Sequence, residues 1–227
     1  MIDTCAIVPV KAFDRAKSRL ASVLTTPQRA IIARLMAIDV LRALCAVAEI
    51  GRVVVMGQGE QQARLASDYG CDYLADDPDL DVSGNVTRAT RLLPMAEAGT
   101  LLILSADLPT LTARDIRALL GESESEGGVL ICRALRDGGT NALLASPAVR
   151  LTFSFGSGSA QRHAKAARAV GERVRIMDNV AFRRDIDVPA DLAWLSRNGK
   201  SGEAIDYLRN SGLAARLAQQ LPESMAS

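Results

Sequence analysis

A chain of 227 residues, 48% hydrophobic but only 4% aromatic, is long enough to bury a full core and too aliphatic to present a base-stacking surface. Its 27 basic and 26 acidic side chains leave a formal charge of +1, which gives no general field for holding DNA or RNA and requires any anion to be bound locally. This composition excludes a disordered chain, and no apolar run approaches the ~20 residues that span a bilayer, so a soluble cytoplasmic protein is expected.

The amino end opens on CAIVPV, residues 5–10, which reads as a strand and not as a basic-then-apolar leader, and gives way at Lys11 to a charged loop. Residues 27–48 carry Ile31, Leu35, Ile38, Leu41 and Leu44 at helical spacing. A second strand follows at 53–56 with a glycine-rich exit, then a helix over 61–69, a third strand at 71–75 and a polar loop, DDPDLDVSGN. Helical spacing returns over 85–98, and 101–105 is the fourth strand. Thr112 is suited to cap a helix running through Leu120, because Asp115 stands three residues on. Strands are expected at 129–132 and 142–145, a helix over 159–170, a strand at 173–177 and a proline-started helix over 189–197. The tail reads as helical.

Strands alternating with helices of this length imply βαβ crossovers. The expected fold is therefore a single-domain, Rossmann-like three-layer α/β sandwich, a mostly parallel sheet with helices on both faces, spanning residues 1–198 and followed by a helical tail over 199–227. There is no internal repeat and no linker. Cys5, Cys45, Cys71 and Cys132 form no Cys-x-x-Cys pair and are expected to be buried reduced thiols, not zinc ligands or disulfides.

In open α/β sheets, ligands bind beyond the carboxyl ends of the strands. Chemistry is therefore sought in the polar loops 11–19, 76–85, 105–110, 137–141 and 154–163. Asp107, in SADLPTL, stands just past the fourth strand and before Pro109, which ends the ladder. Taken alone it could be a turn or capping aspartate. Asp185 and Asp187, in RRDIDVPADL, repeat the pattern at another strand end, and two carboxylates with substrate phosphates are the usual magnesium site.

Lys11, Arg15, Lys17 and Arg19 form a basic cluster at the exit of the first strand. In a chain without positive excess, this cluster points to phosphate binding more than to a solvated loop. FSFGSGSAQRHAKAAR sets Gly156 and Gly158 before a helix whose free N–H groups suit an anion, a glycine hinge being the alternative. His163, the single histidine, has no Ser or Cys partner at catalytic spacing, so phosphate contact or a structural role is expected of it. DGGTNALL reads either as a tight turn or as a pocket wall in which Thr140 donates to an oxyanion. Neither glycine pair fits a Walker loop, and no Gly-x-Gly-x-x-Gly opens the first helix, which weakens ATPase and dehydrogenase readings.

Together, VPVKAFDRAKSRL, SADLPTL, GTNALL, FGSGSAQRHAKAA and DIDVPADL, in that order over residues 5 to about 195, resemble the CofC/FbiD family. These are the phospholactate or phosphoenolpyruvate guanylyltransferases of coenzyme F-420 biosynthesis, within the MobA-like nucleotidyltransferases. The resemblance implies a nucleotide-diphospho-sugar-transferase type of fold. It also implies condensation of GTP with a phosphorylated three-carbon acid (2-phospho-L-lactate, phosphoenolpyruvate or 3-phosphoglycerate), with Mg²⁺ as cofactor and pyrophosphate released.

Carried over by position, Lys11, Arg15 and Lys17 would neutralise the GTP phosphates, with Ser105 and Asn85 also on the nucleotide side. Asp107 and Asp187 would hold the metal, with Asp185 as a third carboxylate, and Lys11 and Asp107 would be catalytic. Thr140, Gly156 and Ser159 would form the acceptor pocket. No general base is needed, because a phosphate monoester is already ionised at neutral pH. Two alternatives stay open: a MobA-like transferase using another nucleotide or acceptor, and a non-catalytic nucleotide-binding protein. The sequence leaves self-association, a homodimer included, undecided.

Overall fold

The computed structural model describes residues 4–93, 99–146, 148 and 151–220. Seven strands, β1 (Thr4–Val10), β2 (Ile50–Gly57), β3 (Asp72–Ala75), β4 (Thr100–Leu104), β5 (Gly128–Arg133), β6 (Thr140–Ser146) and β7 (Val174–Met177), form one sheet in the order β3-β2-β1-β4-β6-β5-β7. The expected α/β sandwich is observed: β1 runs parallel to β2 and β4, β2 to β3, and β5 to β7. Only β6 is reversed, pairing antiparallel with both β4 and β5.

Side-chain alternation along the central strands makes the three layers. Ala6 and Val8 of β1 face one side with Leu102, Leu104, Leu130 and Leu144, against Ile38, Leu41 and Leu44 of α1 (Thr26–Cys45) and Ile116 and Leu119 of α4 (Ala113–Glu126). Ile7, Leu101, Ile103 and Leu143 face the other side, against Val86 and Ala89 of α3 (Val82–Leu92) and Ala160, Ala164 and Ala167 of α5 (Ser159–Ala169). Ile7, Leu101 and Leu102 are fully buried, and each such side chain contributes ~1.5–3 kcal/mol relative to exposure.

The helix starts follow their caps. Thr25 and Gln28 form a capping box on α1, and Thr112 and Asp115 form the expected one on α4. The helix α2 (Glu60–Asp68) joins β2 to β3. The helix expected from residue 85 starts earlier, at Val82, because the Asp81 side chain accepts the Gly84 N–H at 2.7 Å. That expectation's last residues, 94–98, lie outside the described residues, as do 221–227 of the tail.

Helices α6 (Pro189–Asn198), α7 (Glu203–Asn210) and α8 (Leu213–Gln220) form a third apolar cluster with Ile32 and Met36 of α1. Buried Asp39 of α1 accepts the Glu203 and Ala204 N–H groups at 2.8 and 3.0 Å, capping α7 from across the interface. Gly202 precedes that helix with φ 135°, and a Cβ there would lie 2.9 Å from the Asp39 carboxylate.

Two cysteines depart from expectation. Cys5 and Cys132 are buried, but Cys45 is exposed and Cys71 half-buried, their sulfurs 3.8 Å apart. Cys45 ends α1 and Cys71 precedes the edge strand β3. No helix among the described residues is long and apolar enough to cross a membrane.

Candidate active site

Three strand ends and one loop meet at the same edge of the sheet. The chains leaving β1 and β4 carry Lys11 and Ser105–Asp107 there, as parallel strands do with their carboxyl ends. Because β6 is reversed, it delivers its beginning, Thr140 and Asn141, to that edge. The segment after β7 brings Asp185 and Asp187, and its backbone is fastened to the β4 exit where the Ile186 N–H donates to the Asp107 carbonyl at 3.1 Å. Between these segments lies a cavity of about 460 Å³, with Lys11, Lys17, Asp107, Arg136, Thr140 and Asp185 in its wall.

The basic loop is shaped for one purpose visible in its backbone. Two 3-10 turns, Phe13–Arg15 and Ser18–Leu20, flank Lys17, which has φ 56° and is the only non-glycine with positive φ among the described residues. That conformation costs about 1–2 kcal/mol in an L-residue. It accompanies a buried ammonium: the Lys17 side chain is 9% exposed, and Nζ lies 2.5 Å from Asp107 Oδ2 and 3.7 Å from Asp187 Oδ1. Ser105 Oγ donates to the other Asp107 oxygen at 2.6 Å. Burial pushes the Asp107 carboxyl up, but the Lys17 charge and the hydrogen bonds from Lys17 and Ser105 outweigh it and hold it below the ordinary carboxylate range.

Asp185 goes the other way, raised by burial and then by the negative charge of Asp107, against Arg136 and an Asn141 hydrogen bond. Arg136 ties the acidic segment together, with Nη2 3.0 Å from both Asp185 and Asp187 and Nη1 2.8 Å from Asp191. Arg19 completes the ring, 2.9 Å from Asp187.

A divalent cation fits this chemistry. The Lys17 ammonium already stands as a positive charge between Asp107 and Asp187, and Asp185 carries repulsion that a cation would relieve. No ready-made cage of three acidic, histidine or cysteine side chains occurs among the described residues, so an ion here would complete its shell with phosphate oxygens and water.

On the opposite wall, Thr140 Oγ1 lies 2.9 Å from His163 Nδ1, and Ser159 Oγ donates to it at 3.0 Å. Gly156 lines the cavity with φ 112°, a conformation that suits glycine. The first N–H groups of α5 are already engaged: Ser159 donates to the Gly156 carbonyl and Ala160 to that of Gly138, so the expected free helix terminus is closed by its own loop.

Lys11, Lys17, Ser105, Asp107, Thr140, Gly156, Asp185 and Asp187 are thus brought together around one cavity. Arg15 is not; it is exposed and outside the lining. Asn85 is 2% exposed and spends its amide on the chain: Oδ1 accepts the Asp77 N–H, and Nδ2 donates to the carbonyls of Asp77, Leu80 and Asp81. It shapes the 77–81 loop, its amide hydrogens taken up by chain carbonyls. Ser159 and His163 are both fully buried, behind Thr140. Arg136 and Asn141 were missed. Nothing in RALRDGG marks Arg136; its partners lie 49 to 55 residues away.

Solved structures share this fold. One from Desulfovibrio desulfuricans G20, attributed to a nucleotide-diphospho-sugar transferase, is 16% identical with a TM-score of 0.76, covering 96% of this chain and 99% of that one. CMP:2-keto-3-deoxy-manno-octonic acid synthetase complexed with CTP is 14% identical with a TM-score of 0.58, over 96% of this chain and 100% of that one. These likenesses establish the fold, in which a basic loop faces carboxylates at the strand ends.

Among named relatives, a phosphoenolpyruvate guanylyltransferase of Roseiflexus sp. (strain RS-1) is 37% identical over 192 residues, 85% of this chain and 84% of its own length. A 2-phospho-L-lactate guanylyltransferase of Methanothermobacter thermautotrophicus is 30% identical over 206 residues, 91% and 90% of the two chains. The CofC-like guanylyl transferase family model matches residues 4–223, and the chain belongs to that family.

Proposed function

We propose that this enzyme transfers the guanylyl group of GTP to the phosphate of a small phosphorylated three-carbon acid, in coenzyme F-420 biosynthesis. A phosphate oxygen of the acceptor attacks the α-phosphorus in line, the bond from that phosphorus to the β-phosphate bridge oxygen breaks, and pyrophosphate leaves. Membership of a guanylyl transferase family supports the reaction type, and relatives named for phosphoenolpyruvate and 2-phospho-L-lactate support the acceptor class. The observation that carries the reading is the charge pattern of the cavity, in which Lys11, Lys17 and Arg136 face one space with Asp107, Asp185 and Asp187.

Two anions that repel one another must be held together there, so the task of the protein is positioning and charge neutralisation. Lys11 and Lys17 offset the triphosphate, while Thr140 and the Gly156 loop receive the acceptor. Magnesium would be held by Asp107 and Asp187, with Asp185 as a third oxygen donor, and would supply Lewis-acid stabilisation of charge on the phosphates. No side chain has to remove a proton from the nucleophile, because the acceptor phosphate is ionised at neutral pH.

The test is pyrophosphate release with GTP, Mg²⁺ and, in turn, phosphoenolpyruvate, 2-phospho-L-lactate and 3-phosphoglycerate, followed by the product mass. Release is expected only when nucleotide, metal and acceptor are all present, and chelation should abolish it. CTP serves as the control for the base. Absence of turnover with every acceptor would overturn the proposal.

A further inference from the structure

We infer that His163 is a positioning residue that makes the Thr140 hydroxyl a directed hydrogen-bond donor into the cavity. The inference deepens the proposed function and rests on its reading of Thr140 as part of the acceptor wall. The Ser154 backbone N–H points at His163 Nε2 at 2.9 Å, and a backbone N–H can only donate, so Nε2 is the acceptor nitrogen. The proton of the neutral ring therefore sits on Nδ1, 2.9 Å from Thr140 Oγ1, and is donated to it. Ser159 Oγ stands 3.0 Å from the same oxygen, and its hydroxyl has no other acceptor recorded among the described residues, so it donates to Thr140 as well.

Both acceptor directions of Oγ1 are then filled from behind. The Thr140 proton has no protein acceptor among the described residues, and Thr140 lies in the cavity wall. A hydroxyl otherwise able to donate or accept becomes donor-only, suited to an oxyanion of the acceptor acid, phosphate or carboxylate. The surroundings keep the ring in place and uncharged. His163 is fully buried, with Phe155 edge-on at 4.8 Å and Phe153 at 5.9 Å. Burial, assisted by the Arg162 charge, lowers its pKa to about 4, so neither nitrogen gains a second proton near neutral pH. The side-chain partner of the single histidine is Thr140, 23 residues away at the start of β6, a spacing that marks no catalytic pair.

Because the chain has one histidine, histidine-selective ¹⁵N labelling gives one unambiguous pair of ring signals from the intact protein without substrate. An Nδ1–H tautomer with an unprotonated Nε2 is expected, and an Nε2–H tautomer would overturn the inference. In kinetics, H163F and T140V should each raise the KM for the three-carbon acceptor about 10- to 100-fold, the factor for a charge-assisted hydrogen bond, with the KM for GTP little changed. The double variant should be no worse than T140V. H163N, whose amide nitrogen falls near the Nδ1 position, should recover part of the loss, and S159A should give a smaller effect of the same kind. Additive losses in the double variant, or an equal rise in both KM values, would mean that His163 acts only as packing. S159A and H163N carry the test should H163F not fold. Were no three-carbon acid turned over, the proposed function would fail on its own while the ¹⁵N spectrum still decided the tautomer.

Discussion

His163 enters the fold uncharged, and that has a consequence for stability. Its folded pKa of about 4 lies below the ordinary 6.5, so between those values the unfolded chain binds a proton that the folded chain refuses. The contribution to stability therefore rises with pH across that window, by at most about 3 kcal/mol. Urea denaturation at pH 4.5 and pH 7 should show a flatter pH dependence in H163F than in the parent chain, and an unchanged slope would mean that the histidine is not held neutral. At this scale the sequence was legible where function sits at a strand end. Lys11, Asp107 and Thr140 each follow or open an apolar run, and the structure places all three around the cavity. It was not legible where a side chain's task depends on partners remote in sequence. Arg136 finds its carboxylates 49 to 55 residues away, and Asn85 meets loop carbonyls whose positions exist only once the 77–81 loop has closed.

Strand and helix periods name the elements and leave their direction unstated. The run NALLA is continuously apolar after its asparagine, like its neighbours, so nothing in it announced that β6 runs against β4 and β5. The short DGGT stretch did carry that information, as a tight turn, and it proves to be both a hairpin connection and a wall of the cavity. Caps were partly readable: Thr112 with Asp115 was expected and found, whereas Asp81 was hidden inside a loop rich in aspartates. The cap on α7 could not be read locally, because its acceptor is Asp39, 164 residues from Glu203. Removing it in Asp39→Ala leaves two N–H groups of α7 without that partner in a buried interface, a loss of ~1–3 kcal/mol. Urea midpoints should fall accordingly at unchanged m-value, while pyrophosphate release by the folded fraction at the distant cavity stays the same.

For the whole molecule, the three-layer plan followed from alternating strand and helix lengths, and the order of strands did not, since crossovers of similar length permit several orders. What the order accomplishes is a division of labour along the chain. Lys11, Lys17, Ser105 and Asp107 come from the exits of β1 and β4, while Thr140, Gly156 and the buttress of Ser159 and His163 come from the hairpin after β5, from the loop before α5 and from α5 itself. The reversed strand makes the second group nearly contiguous in sequence and the first group dispersed. Exchanging residues 134–163 for those of a relative named for a different acid should shift the ratio of kcat/KM between phosphoenolpyruvate and 2-phospho-L-lactate, with the KM for GTP held. A ratio unmoved by the exchange would place acceptor choice elsewhere. One wall of the cavity is thus a nearly contiguous stretch that a single exchange can replace, while the opposite wall, assembled from segments far apart in the chain, can be altered only by concerted substitutions.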